Sequence, residues 1–185
     1  MNKHIIVGLG NVGKEYDMTR HNAGFLAVDA LAERYGFPKF THDTSLHGWV
    51  SGMPLGDTVY LLVKPDTLMN RSGMAVQAAL QYYKLEPADV TIIYDDIDIP
   101  LGTMRFRESG SAGTHNGMRS VVQEMGTDAV ARVRLGIKPD HPITDLSAFV
   151  LGRLSGPEMT ALSQVIDELR LPLERAGLWS ELLLE

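Results

Sequence analysis

Residues 5–16 read IIVGLGNVGKEY, an apolar run followed by Gly8, Gly10 and Gly13 in G-x-G-x-x-G spacing. After a strand, that spacing is the fingerprint of a dinucleotide-binding turn, where glycines admit a pyrophosphate to the backbone at a helix N-terminus. The residues downstream speak against such a turn. Gly13 is followed by KEYDMTRHN, and helical apolar periodicity begins only near Asn22, so no helix start stands behind the third glycine. A ribose-binding acid is expected about 20 residues further on. The acid in range, Asp29, falls mid-helix, and the plausible neighbouring strand ends in Lys64-Pro65. The glycines are better read as shaping a tight strand-end loop that presents Asn11 and Tyr16 to a crevice, with His21 arriving a few residues later.

Working outward, residues 3–8 predict a strand apolar enough to be central. Residues 22–36 predict an amphipathic helix with Phe25, Val28, Leu31 and Ala32 on one face, stopped by Gly36 and Pro38. Residues 47–53 and 58–64 predict two strands joined around Pro54 and Gly56. A second helix is expected over 70–83, with Met74, Ala75, Ala78 and Leu80 apolar. DVTIIYDD (89–96) is a strongly β-branched strand ending in carboxylates, and TMRFRE (103–108) alternates like a half-buried one. The small-residue loop SGSAGT (109–114) leads into a short helix NGMRSVVQEM (116–125) and a strand ARVRLGI (131–137), with two helices expected over 157–171 and 173–184. Strands alternating with helices imply an α/β fold: a single-domain three-layer sandwich over residues 1–185, with a twisted mixed sheet and helices on both faces.

Composition narrows the chemistry. The absence of cysteine excludes disulfides, thiol catalysis and Cys-ligated zinc, and suits a reducing cytoplasm. No run of about 18 apolar residues is present, so no transmembrane helix is expected, and the N-terminus lacks the pattern of a signal peptide. A net charge of −6 argues at first against nucleic acid. Its distribution does not, because eight acids against three bases fall in residues 140–185. Between 98 and 138 the balance reverses, with Arg105, Arg107, Arg119, Arg132, Arg134 and Lys138 against four acids. Such a local basic surface can bind phosphates, because the field within a Debye length outweighs the total charge.

Polar side chains recur where strands or glycine loops end: Asn11, His21, Asn70, Asp95 and Asn116. Loops at the carboxyl ends of strands in an α/β sheet gather in one crevice, where ligands bind. Three carboxamides, an imidazole and a carboxylate form a hydrolytic set needing neither a metal nor a nucleophilic side chain. The imidazole can deprotonate water near neutral pH, the carboxylate can fix its tautomer, and amide N–H groups can hold an oxyanion. Taken singly, each has a structural alternative as a cap, turn or strand-end residue. Phosphate-loop, zincin and nucleophile-elbow motifs are missing, and His42 and His47 are five apart rather than the four that align ligands on a helix.

Four stretches carry a resemblance: IIVGLGNVGKEYDMTRHNAGF, VKPDTLMNRSGMAV, YDDIDIPLGTMRFRESGSAGTHNGMRS and ARVRLGI, spanning residues 5 to 137. Their content and order resemble the bacterial peptidyl-tRNA hydrolase family, and FVLG at 149–152 is also similar. The resemblance implies a cytoplasmic, monomeric esterase that frees tRNA from prematurely released peptidyl-tRNA, without metal or cofactor and without a membrane partner. It places the general base on His21 and its supporting carboxylate on Asp95, and the crevice asparagines on Asn11, Asn70 and Asn116. Asn11 or Asn70 would hold the oxyanion. It further places Tyr16 near the tRNA 3′ end, Met69 beside the histidine, and Arg105, Arg107 and Arg134 at tRNA phosphates. Two departures bear on geometry: Val12 stands where the family usually has proline, which loosens the turn after Asn11, and Thr114 replaces a loop glycine. The alternatives from other classes are a catalytically idle RNA-binding module and a dinucleotide-dependent enzyme.

Overall fold

The computed structural model describes residues 1–171. Seven strands form one sheet: β1 (Asn2–Gly8), β2 (Thr41–Asp43), β3 (Gly48–Leu55), β4 (Thr58–Pro65), β5 (Val90–Pro100), β6 (Met104–Arg107) and β7 (Ala131–Lys138). Their spatial order is β2-β3-β4-β1-β5-β7-β6. The inner strands β4, β1, β5 and β7 run parallel, and the outer pairings are antiparallel, so the sheet is mixed as expected. β1 takes the middle place because Ile5, Ile6 and Val7 are apolar on successive positions, and all three are fully buried.

Alternation along β1 divides the core in two. Ile5 and Val7 meet α2 (Ser72–Tyr83) through Val76, Ala79 and Leu80, and α3 (Asn116–Met125) through Met118 and Val121. Ile6 faces the other way, towards Ala27, Val28 and Leu31 of α1 (Ala23–Tyr35) and Leu162, Val165 and Ile166 of α5 (Gly156–Ile166). Helices therefore cover both sheet faces, giving the three layers read from the sequence. Gly36 closes α1 in the left-handed conformation at φ 70°, as its position after the periodic residues implied.

The first glycine of the motif serves packing. A Cβ on Gly8 would lie 2.2 Å from the Gly24 carbonyl oxygen, and one on Gly24 would lie 2.3 Å from that of Ile93. The two glycines thus let the start of α1 sit against the backbones of β1 and β5. Between β1 and α1 the chain makes two single 3-10 turns, Lys14–Tyr16 and Arg20–Asn22, rather than entering a helix behind Gly13. Asp29 lies mid-way along α1, exposed and ion-paired with Lys64, and not at the end of a second strand where a ribose-binding acid would stand.

Several boundaries differ from the sequence reading. The three-residue edge strand β2 and the short helix α4 (Leu146–Leu151) were not anticipated: one is too short to show alternation, and the other buries no residue. β5 runs on past Asp96 to Pro100 through an irregular register, so Asp95 stands within a strand rather than at its close. On α2 the buried residues include Val76 and Ala79, while Met74 and Ala78 lie at its flank. The helix expected over 157–171 ends at Ile166, and the one expected over 173–184 lies outside the described residues. Among the described residues, no helix is long and apolar enough to cross a membrane.

Candidate functional site

The chain leaves β1 towards β4 and later returns to β5 on its other side. The crevice beyond their carboxyl ends is where such a sheet binds ligands. A cavity of about 770 Å³ opens there. Asp95 reaches it because it lies two residues beyond Ile93, the partner of Gly8 at the end of β1, and β5 carries on past that point.

Asp95 is 2% exposed and accepts hydrogen bonds from two imidazoles. His21 Nδ1 lies 2.9 Å from Oδ2 and 3.1 Å from Oδ1, and His115 Nε2 lies 3.0 Å from Oδ1. Burial alone would push this carboxyl up, but the N–H groups that His115 and His21 point at it, through their hydrogen bonds and their electrostatic attraction, outweigh it. They hold the group well below the ordinary carboxylate range. The partners also fix the ring protons. His115 Nδ1 accepts the Met118 N–H at 3.1 Å as the N-cap of α3, so its Nε2 carries the proton that Asp95 receives. His21 Nδ1 must likewise be the protonated nitrogen, which leaves Nε2 with a lone pair. The two rings lie 4.7 Å apart between centroids, and Tyr94 packs on the far side of His115 at 4.8 Å.

Asn11 is also fixed, by Asn22. Its backbone N–H donates to Asn22 Oδ1 at 2.8 Å, and Asn22 Nδ2 donates back to the Asn11 carbonyl at 2.9 Å. The Asn11 side-chain oxygen accepts the Met69 N–H at 2.9 Å, so the NH₂ is what Asn11 can offer to the cavity. This reciprocal pairing holds the turn that Val12, 38% exposed, was expected to loosen. Asn70 and Asn116 are exposed on the cavity wall, each in the first turn of helical structure leading into α2 or α3. Met69 is buried beneath them, and Tyr16 is half-buried at the rim.

Of the three arginines expected at phosphates, Arg107 and Arg134 line the cavity, whereas Arg105 lies outside it. Cross-strand register sets Arg105 opposite Arg134 and Arg107 opposite Arg132, so four arginines share one face of β6 and β7. Arg105 and Arg107 are exposed, but Arg134 donates to Asp96 at 2.7 Å and is already partnered. Arg132 is 1% exposed and gives its donors to the carbonyls of Val130, Ser111 and Asp128. It thereby anchors the SGSAGT loop against the cavity, and burial lowers its pKa.

His21, Asp95 and His115 are also the one cluster, among the described residues, whose ligand atoms could converge on a cation. Both imidazole nitrogens facing Asp95 sit at hydrogen-bond distance, with a proton in each gap. An ion would have to displace both protons.

His115 and Asn22 were not singled out for a role by sequence reasoning, and Arg132, counted there with the basic surface that can bind phosphates, is buried and spends its donors on backbone carbonyls. Asn22 acts on a residue eleven positions away, and His115 lies outside the usual N-cap residue types, so neither left a local signal.

A family model described as peptidyl-tRNA hydrolase matches residues 5–176. The peptidyl-tRNA hydrolase of Synechococcus sp. (strain JA-3-3Ab) is 48% identical over 162 residues, covering 88% of this chain and 72% of that protein. That of Alkaliphilus oremlandii is 46% identical over 167 residues, covering 89% and 87%. The crystal structure of peptidyl-tRNA hydrolase from Acinetobacter baumannii superposes with a TM-score of 0.83 at 36% identity, covering 90% of this chain and 84% of that one. The mixed sheet, its crevice and the matched residues lead to one assignment: the chain belongs to the peptidyl-tRNA hydrolase family.

Proposed function

We propose that the protein hydrolyses the ester joining a peptide to the 3′ ribose of tRNA, using water activated by the His21–Asp95 pair without a metal ion. The observation that carries this reading is the 2.9 Å contact of His21 Nδ1 with a buried carboxylate on the wall of the cavity. Membership of an ester hydrolase family supports the reaction class.

Asp95 holds His21 with its proton on Nδ1, so Nε2 can take a proton from a water placed between the ring and the ester carbonyl. The hydroxyl adds to the carbonyl carbon, and the oxyanion that forms is met by the Asn11 NH₂ group. Asn11 suits this role better than Asn70, because its oxygen is committed to Met69 and its orientation is pinned by Asn22. Asp95 stabilises the imidazolium, which then returns its proton to the departing ribose oxygen. Asn70 and Asn116, at the cavity surface, hold the peptide backbone and leave its sequence unread. General-base assistance of about 10²–10⁴-fold, added to positioning, suits an ester with an alkoxide leaving group.

tRNA docks through phosphates on the β6–β7 face, chiefly on Arg105 and Arg107, because Arg134 already serves Asp96. Double substitution of Arg105 and Arg107 by alanine is expected to raise KM for N-acetyl-aminoacyl-tRNA about tenfold. It should also reduce the slope of log KM against log salt by roughly 1.5–2, with kcat unchanged. A salt slope equal to that of the wild type would place the phosphate contacts elsewhere. The reaction itself is tested by incubating the protein with N-acetyl-aminoacyl-tRNA and resolving the products: free tRNA and N-acetyl amino acid are expected in equal amounts. Salt-dependent binding with no release would leave an idle RNA-binding module.

A further inference from the structure

The residue before His21 turns its side chain away from the cavity and works behind it. Arg20 Nε and Nη2 donate to the two carboxylate oxygens of Glu158 at 2.9 and 3.0 Å, and Nη1 donates to the Phe149 carbonyl at 3.0 Å. The guanidinium also lies 4.1 Å from the centroid of the Phe149 ring. The Arg20 backbone N–H adds a bond to the Gly152 carbonyl at 3.0 Å. This forked pairing is largely shielded, with side-chain exposures of 14% and 17%, unlike an ordinary surface ion pair. Glu158 is itself fixed by the capping box that opens α5, where it accepts the Ser155 N–H at 2.7 Å.

What the arginine grips is α4. That helix has six residues and buries none of them, so neither its length nor its own packing accounts for its place. Yet Leu146, Val150 and Leu151 of α4 line the cavity, with Leu146 and Leu151 still 39% and 41% exposed. This apolar stretch of the cavity wall is therefore held chiefly from outside itself. Its ties are Arg20, the Thr19–Arg153 bridge and the Leu154 N–H to Met18 carbonyl bond at 2.8 Å.

We propose that Arg20 is a positioning residue that clasps α4 as the wall facing the peptidyl part of the substrate. Because it adjoins His21 in the chain, it keeps that wall at a fixed separation from the imidazole. This rests on the hydrolytic reading of the site. His21 takes its orientation from Asp95, so losing the clasp loosens peptide binding and spares the base.

The test compares the wild type with Arg20→Gln, Arg20→Lys and Glu158→Gln in steady-state hydrolysis of N-acetyl-phenylalanyl-tRNA, with deacylated tRNA as a competitive inhibitor. Arg20→Gln is expected to raise KM about tenfold, while kcat and its pH profile stay within about twofold. The inhibition constant of deacylated tRNA, which has no peptidyl part, is expected to stay unchanged. Arg20→Lys keeps the charge but not the fork, and Glu158→Gln keeps the Phe149 contacts; each is expected to raise KM less, about threefold. These two milder variants carry the test if Arg20→Gln does not fold. An unchanged KM in all variants overturns the proposal. So does a fall in kcat at constant KM, or a parallel rise in the deacylated-tRNA constant, because these mark a general structural role. A wild-type protein without turnover overturns the hydrolytic reading together with the clasp. An active wild type with unmoved KM values overturns the clasp alone.

Discussion

Replacing His21 with alanine is expected to lower kcat for release of N-acetyl amino acid from tRNA by roughly 10²–10⁴-fold, with the fold retained. The magnitude follows from the role: among the described residues, no other imidazole has a free lone pair at the cavity. His115 spends one nitrogen on the Met118 N–H and the other on Asp95. The fold should survive because Asp95 keeps His115 as a donor and is not left buried without a partner. Single-turnover kinetics measure the effect, and circular dichroism confirms the fold. Hydrolysis undiminished in this variant would remove His21 from the mechanism.

Asp95→Asn is expected to cost kcat by a similar factor, roughly 10²–10⁴, for a different reason. A carboxamide with its oxygen in the Oδ1 place could still accept from both rings, but its NH₂ then takes the Oδ2 place, where it faces the His21 Nδ1 proton. That donor-to-donor contact weakens the hold on His21. If His21 turns over or shifts its proton to Nε2, its lone pair is lost to the water. The same substitution has a stability signature. The carboxyl of Asp95 is lowered in the folded state from an ordinary value of 3.8. Its contribution is therefore complete at neutral pH and declines as pH falls below that ordinary value, where the unfolded chain takes up the proton more readily. Urea unfolding is expected to show the wild type more stable than the variant at pH 7 by about 1.5–3 kcal/mol, the range for a hydrogen bond to a charged group, and the gap should narrow below pH 4. A gap independent of pH would mean that the charge of Asp95 contributes nothing to the fold.

How far the sequence reveals this site depends on the range of each interaction. β1 was legible because four successive apolar or small residues leave no polar face, and α1 because its period and Gly36 are local. His21 and the three asparagines were legible as polar residues at the ends of strands and glycine loops, which the parallel sheet gathers into one crevice; Asp95 was legible as the carboxylate after an apolar run, although β5 continues past it. The glycine spacing misleads because close helix packing and phosphate cradling both demand the missing Cβ; only the residues after Gly13 separate them. Asn22 and His115 escaped because each acts on a partner distant in sequence, and Arg132 was read as surface charge because the carbonyls that take its donors are set by the fold. α4 escaped because its apolar residues line a cavity instead of a core, so no stripe meets a buried face. The arginine face was legible as charge but not as pairing: the register that opposes Arg105 to Arg134, and Asp96's hold on Arg134, exist only in three dimensions.

The most direct measurement of the central claim is the turnover of N-acetyl-aminoacyl-tRNA by wild-type protein dialysed against a chelator and assayed in its continued presence. A base held by a carboxylate through ring protons needs no ion, so the rate should equal that of undialysed protein. Loss of turnover under the chelator, restored by a divalent transition metal that His21, Asp95 and His115 could ligate, would contradict the account.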